Sequence, residues 1–155
     1  MHCTAGAVIT KRRNSMGFYY DDAGNLRDGL LDKDAEQYAI SFVNDREKQL
    51  NSNQLRRFYN ECKSLERRFE FSCQQSNDEQ SQEIAFLKVL PLLKMLKAKV
   101  SYATNPSNKK IPQSFAKWLN SSIDEVNNEQ DFRAFLLSFE AVVGFCYGNG
   151  IAKVR

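Results

Sequence analysis

The residues of this sequence best suited to chemistry are cations on one stretch, Arg56, Arg57, Lys63, Arg67 and Arg68, and that chemistry is anion recognition. At about 100° per residue, Arg56, Lys63 and Arg67 fall within about 40° of one another, with Arg57 and Arg68 on an adjacent line. The Arg56 to Arg67 row spans roughly 16 Å at 1.5 Å rise per residue, enough to follow several phosphates of an extended or A-form strand. Guanidinium forks match phosphate oxygens geometrically. The same side chains admit a second reading, a solvated face paired with Glu61, Glu66 and Glu70 that serves solubility alone.

Charge along the chain favours a local positive field over a global one. Residues 52–118 carry 12 basic and 6 acidic side chains, against 7 and 8 before them and 3 and 5 after. Between Glu83 and Asp124 there is no acidic residue, while Lys88, Lys94, Lys97, Lys99, Lys109, Lys110 and Lys117 all lie in that window. A polyanion is the partner this distribution suits. Tyr19, Tyr20, Tyr59 and Tyr102 could stack on bases, although Tyr59 falls on an apolar stripe and reads as core.

Catalysis finds no such support. A nucleophile with its base, paired carboxylates in an apolar setting, a phosphate-cradling glycine loop and a metal cluster are all missing from the pattern. Gly148-Asn149-Gly150 ends a helix and does not open one, so it reads as a C-cap. Glu140, amid apolar residues, reads as a helix-edge carboxylate with a basic partner. Cys3, Cys62, Cys73 and Cys146 form no CxxC pair and come with one histidine, His2, too few ligands for zinc. They read as reduced thiols, with Cys62 and Cys146 as small buried hydrophobes. No enzyme activity, metal or cofactor is expected.

The elements that must position these groups are helical. At 155 residues with 42% hydrophobic side chains, the chain suits one globular domain. Residues 1–31 lack helical periodicity and read as an irregular arm, with FYYDDAGNLRDG as two short extended pieces around a turn at Asp22 to Asn25. Residues 32–150 read as a helical bundle, and 151–155 as a tail. Ala35, Tyr38, Ala39, Phe42 and Val43 mark a first helix capped by Asp32 or Asp34. Leu55, Phe58, Tyr59, Cys62, Leu65 and Phe69 mark a second, capped by Asn51 or Ser52 and reaching about Phe71.

After a polar loop, IAFLKVLPLLKMLKAKVSYA is apolar on almost every side and reads as a central helix, with a kink or break at Pro91. Phe115, Trp118, Leu119, Ser122, Ile123 and Val126 make a fourth helix opened by Pro112. Phe132, Phe135, Leu136, Phe139, Val143 and Cys146 make a fifth, capped by Asn128. Such stripes must find partner faces, so the fold class is an all-α, compact bundle of about five helices. Lys88, Lys94, Lys97 and Lys99 interrupt the longest apolar stretch, so no membrane span is expected. The opening MHCTAGAVITKRRNSMG reverses the charge order of a secretory signal, which makes the cytoplasm the expected compartment.

Taken in order, QLRRFYNECKSLERR, FLKVLPLLKMLKAKVSYA, IPQSFAKWLNSSIDEV and DFRAFLLSFEAVVGFCYG resemble the small-subunit family of type III-A CRISPR effector complexes, the Csm complexes. The similarity runs from YYDDAGNLRDGLLD to about Gly148 and departs in the first 17 residues and in the glutamine-rich loop at 74–82. The resemblance implies a helical protein without catalysis of its own, stacked head to tail in several copies. Its implied partners are CRISPR guide RNA and target RNA, the backbone and large subunits of the complex, and further copies of itself.

Carried over residue by residue, the resemblance points to Arg56, Arg57, Lys63 and Arg67 in the second helix and to Lys94, Lys97 and Lys99 in the third; Arg68 joins them on the adjacent line. Their implied ligand is phosphate, which carries no sequence information and so suits a subunit that must accept any guide. Phe139, Val143 and Tyr147 admit either core packing or contact between copies. The alternative function is a helical protein–protein adaptor without nucleic-acid contact.

Overall fold

The computed structural model describes residues 17–75 and 78–153, so His2, Cys3 and the opening segment lie outside the described residues. Five α-helices follow in order: α1 (Ala35–Val43), α2 (Ser52–Gln74), α3 (Glu79–Ala103), α4 (Gln113–Asp124) and α5 (Glu129–Gly148). β-pairing among the described residues is limited to isolated bridges, Tyr20 with Leu26 and Asn51 with Ala152. The fold is the all-α bundle that the apolar periodicities require.

Side-chain caps fix most of the helix starts. Asn51 accepts from the Gln54 N–H at 3.0 Å, Asp78 from Ser81 at 2.6 Å and Asn128 from Asp131 at 2.8 Å, each satisfying a backbone donor that the first turn leaves over. Pro112 precedes α4 in extended conformation, where its missing N–H costs nothing. The first helix departs from expectation, because neither Asp32 nor Asp34 caps its start. The chain enters through Gly29 at φ 85° into a π-helical turn, Leu30–Asp34, that runs directly into α1. Asp34 instead takes the Arg27 guanidinium at 3.2 Å.

The core is an aromatic cluster crossed by α5. Phe42, Phe58, Phe115, Trp118, Phe135 and Phe139 are all buried, and ring contacts link α1, α2, α4 and α5 through them. Phe69, Phe86 and Phe132 continue it toward the other end of α2. Helix α5 packs on α1, α2 and α3, and α3 in turn packs on α2, α4 and α5. Helix α3 buries Phe86, Val89, Leu93, Leu96 and Val100 and turns Ile84, Leu87, Met95 and Tyr102 to solvent. Its apolar residues on every side therefore form two faces, one packed and one bare.

Helix α3 also runs through Pro91 unbroken. Pro91 and Leu87 are both exposed, so the turn in which Pro91 withholds its N–H lies on the solvent side of the helix, where a missing bond costs less than in the core. Helix α2 extends past Phe71 to Gln74, and the polar stretch between α2 and α3 shrinks accordingly. Within α5 the fully buried slot belongs to Val142, while Val143 is half-buried.

Residues 17–31 hold fast to the bundle without any helical period. Tyr19 is buried and its hydroxyl donates to the Ser122 carbonyl at 2.6 Å, and the Tyr20 hydroxyl donates to the Gln130 carbonyl at 2.7 Å. Burial pushes the Tyr19 phenol well above its ordinary range, so it remains a donor at any physiological pH. The turn that joins Tyr20 to its bridge partner Leu26 uses Gly24 at φ 83°, which a side chain would strain. At the other end, the Ser52 N–H donates to the Ala152 carbonyl at 2.9 Å and buried Ile151 ties the C-terminal residues to the start of α2.

Candidate nucleic-acid interface

Helix α2 separates its two faces as its spacing demands. Leu55, Phe58, Cys62, Leu65 and Phe69 are buried, and Arg56, Arg57, Arg67 and Arg68 are exposed on the opposite side. Helices α2 and α3 run antiparallel alongside each other, because one groove joins Arg57 to Tyr102, an ion pair joins Glu61 to Lys99, and a second hollow joins Arg68 to Leu92.

The expected site residues divide by what they already hold. Among the described residues, Arg57, Arg67, Arg68 and Lys94 are exposed and make no ion pair or hydrogen bond. The other four are engaged. Arg56 donates from Nε to the Tyr147 hydroxyl at 2.6 Å, with its guanidinium 5.5 Å from that ring's centroid, so it clamps α2 to α5. Lys63 pairs with Glu66 at 2.7 Å one turn on, and that hydrogen bond holds its ammonium charged beyond the usual lysine range. Lys97 pairs with Asp124 across to the end of α4, and Lys99 with Glu61 at 2.6 Å. Exposed pairs of this kind contribute about 0–1 kcal/mol, so a phosphate can take over the cation at little cost.

The carboxylates proposed as internal partners are therefore used, but only in part on the α2 cations. Glu66 takes Lys63, Glu61 reaches across to Lys99, and Glu70 takes Arg133 of α5 at 2.8 Å. Among the described residues, Arg57, Arg67 and Arg68 are left without a counter-charge. The Arg57 to Arg68 interval along the α2–α3 seam is roughly 16 Å at 1.5 Å per residue.

Along that seam lies a groove of about 500 Å³ lined by Arg57, Glu61, Met95, Lys99, Tyr102 and Lys110, among others. A smaller hollow of about 140 Å³ shares Glu61, Met95 and Lys99 with it and continues to Arg68. Lys110 is the lining cation that the helical periodicities could not place. It reaches the groove because the loop after α3 folds back, with the Lys110 N–H donating to the Ala103 carbonyl at 2.7 Å and Ile111 buried beneath. Of the four tyrosines weighed for stacking, Tyr19 and Tyr20 are held by backbone carbonyls and Tyr59 packs on Phe139 at 5.5 Å. Tyr102, at 67% exposure, is the one open to a ligand.

The cysteines differ in burial, and so do the residues left open between core and contact between copies. Cys62 and Cys146 are buried; burial alone pushes the Cys146 thiol up to about 12, and burial with the nearby Glu61 carboxylate pushes Cys62 up as well. Cys73, half-buried near Glu70, is raised less. Peptide mapping after iodoacetamide treatment at pH 8 should find Cys73 modified in the native protein, and Cys62 and Cys146 only after unfolding, since the thiolate is the reactive form. Early modification of Cys146 would contradict its placement. Phe139 is fully buried, and Tyr147 is half-buried under Arg56. Among the described residues no group of His, Cys, Asp and Glu is placed to hold a metal ion, and no helix is long and apolar enough to cross a membrane.

Comparison with known proteins gives one family. The family model described as Csm2 Type III-A matches residues 27–147, which takes in all five helices except the last residue of α5. No curated protein and no solved structure matches the chain. A bundle whose cationic α2–α3 wall and helix order fall within a match of that extent allows one assignment: the chain belongs to the Csm2 Type III-A family, the small-subunit family of the type III-A Csm complexes.

Proposed function

We propose that this chain is a non-catalytic small subunit that stacks in several copies along the guide–target RNA duplex of a type III-A CRISPR ribonucleoprotein and grips target RNA through its basic helix faces in antiviral defence. The observation that carries the reading is the exposed set Arg57, Arg67, Arg68 and Lys94, cations with no counter-charge among the described residues. Unsatisfied guanidinium forks spread over roughly 16 Å suit a run of phosphates better than a single anion. Arg56, Lys63, Lys97 and Lys99 add to the same field while holding partners within the chain.

On this reading the cations meet sugar and phosphate, and discrimination between targets belongs to base pairing with the guide. Cutting of RNA and the nuclease and cyclic-oligoadenylate chemistry belong to the backbone and large subunits, and the complex works in the cytoplasm. Several aligned copies would multiply a weak single-copy affinity. The test is purification of the tagged full chain from its host, with sequencing of the bound RNA and mass spectrometry of the bound proteins. Repeat-derived guides together with backbone and large subunits are expected. Nuclease-resistant protein partners without repeat-derived RNA would replace this reading with that of a protein–protein adaptor.

A further inference from the structure

We infer that the groove between α2 and α3 is a stacking site for one unpaired nucleotide of the bound RNA, with Tyr102 as the platform for the base and Arg57, Lys99 and Lys110 around it for the phosphate. The inference rests on the RNA-gripping reading above and adds to it a contact with a base.

The groove's size, charge and floor argue for this occupant together. Its volume of about 500 Å³ falls in the range of roughly 300–1,000 Å³ usual for small-ligand sites. Its rim carries Arg57, Lys99 and Lys110 against one carboxylate, Glu61, which Lys99 already holds at 2.6 Å. Its floor is apolar, from Phe58, Met95, Ala98 and Ala103, so it suits a flat ring and leaves the anionic part of a ligand at the edge.

Tyr102 stands 67% exposed beside this floor, and the Lys110 ammonium sits 5.1 Å from its ring centroid. A cation over the ring shows that its electron-rich face is accessible from the groove side. A base that took the ammonium's place would leave Lys110 next to the nucleotide's own phosphate. Stacking on an aromatic ring accepts every base, so the site stays compatible with a subunit that reads no sequence. A partner protein's apolar side chain would fill the floor equally well but would leave the cations Arg57 and Lys110 without a counter-charge.

The test uses assembled particles saturated with target RNA carrying 2-aminopurine at successive positions, since stacking on tyrosine quenches its emission. In particles carrying Tyr102→Leu, emission at the groove-bound positions should rise several-fold, while Tyr102→Phe keeps the wild-type pattern. The exposed position of Tyr102 makes both variants safe for folding. Identical emission at every position in wild type and Tyr102→Leu overturns the inference. Loss of this subunit from Tyr102→Leu particles also overturns it, because the groove would then hold a neighbouring protein. The RNA-gripping reading fails by a different measurement, unchanged salt-dependent retention when the outer cations are removed, so the two failures are distinguishable.

Discussion

Particles in which Arg57, Arg67, Arg68 and Lys94 are all replaced by alanine should lose target RNA on the order of a hundredfold more readily at low salt, through the counterion-release term alone. The effect is large because these side chains have no partner among the described residues, so every phosphate contact they make releases a counterion. With one contact per side chain, the plot of log K against log[salt] should become shallower by about 3, at roughly 0.7 per single-strand phosphate. Helicity should not change, since all four sites are exposed on helices and alanine is the best helix former.

The contrast within the site is the sharper part of this expectation. Arg56→Ala with Lys63→Ala should weaken retention less, because one side chain is engaged by Tyr147 and the other is neutralised by Glu66. Retention by the fourfold variant equal to that of wild type, across 50 to 200 mM salt or so, would leave the wall as a solubility device.

How far the sequence discloses this wall depends on the physical range of each signal. The α2 faces are legible because helical period alone decides them: Leu55 to Phe69 inward, Arg56 to Arg68 outward. The caps at Asn51 and Asn128 are legible for the same reason, as local side-chain to backbone bonds. What the sequence conceals depends on contacts far apart in the chain. Which cations are free is decided by carboxylates on other helices, Asp124 for Lys97 and Glu61 for Lys99, and no periodicity reports those. Tyr19 looks like part of an aperiodic arm, yet its ring is buried and bonded to Ser122, more than a hundred residues on. The position of α3 is concealed for a related reason. Apolar residues on all sides suggest burial, whereas here the outer row of Ile84, Leu87, Met95 and Tyr102 is bare.

Truncation of Phe139 to alanine should be the most destabilising single change in the bundle, by about 3–5 kcal/mol, the usual range for a buried phenylalanine. The ring is fully buried and contacts Tyr59 of α2 at 5.5 Å, Phe115 and Trp118 of α4 at 6.3 and 5.2 Å, and Phe135 of α5 at 6.1 Å. Its removal opens a void where three helices meet, and rigid rings on every side cannot collapse into it. For a chain of this size each kcal/mol lowers Tm by about 2–4 °C, so thermal unfolding followed by circular dichroism should move down by on the order of 10 °C. Val143→Ala, at a half-buried position of the same helix, should cost about 1 kcal/mol. If Phe139 instead served contacts between copies, the free chain would keep its Tm and only assembly would suffer. At temperatures where the Phe139→Ala chain is folded, its salt dependence of RNA retention should match wild type, because none of Arg57, Arg67, Arg68 and Lys94 touches the ring. A shallower slope would mean that Tyr59, on the inner side of α2, sets where the outer arginines stand.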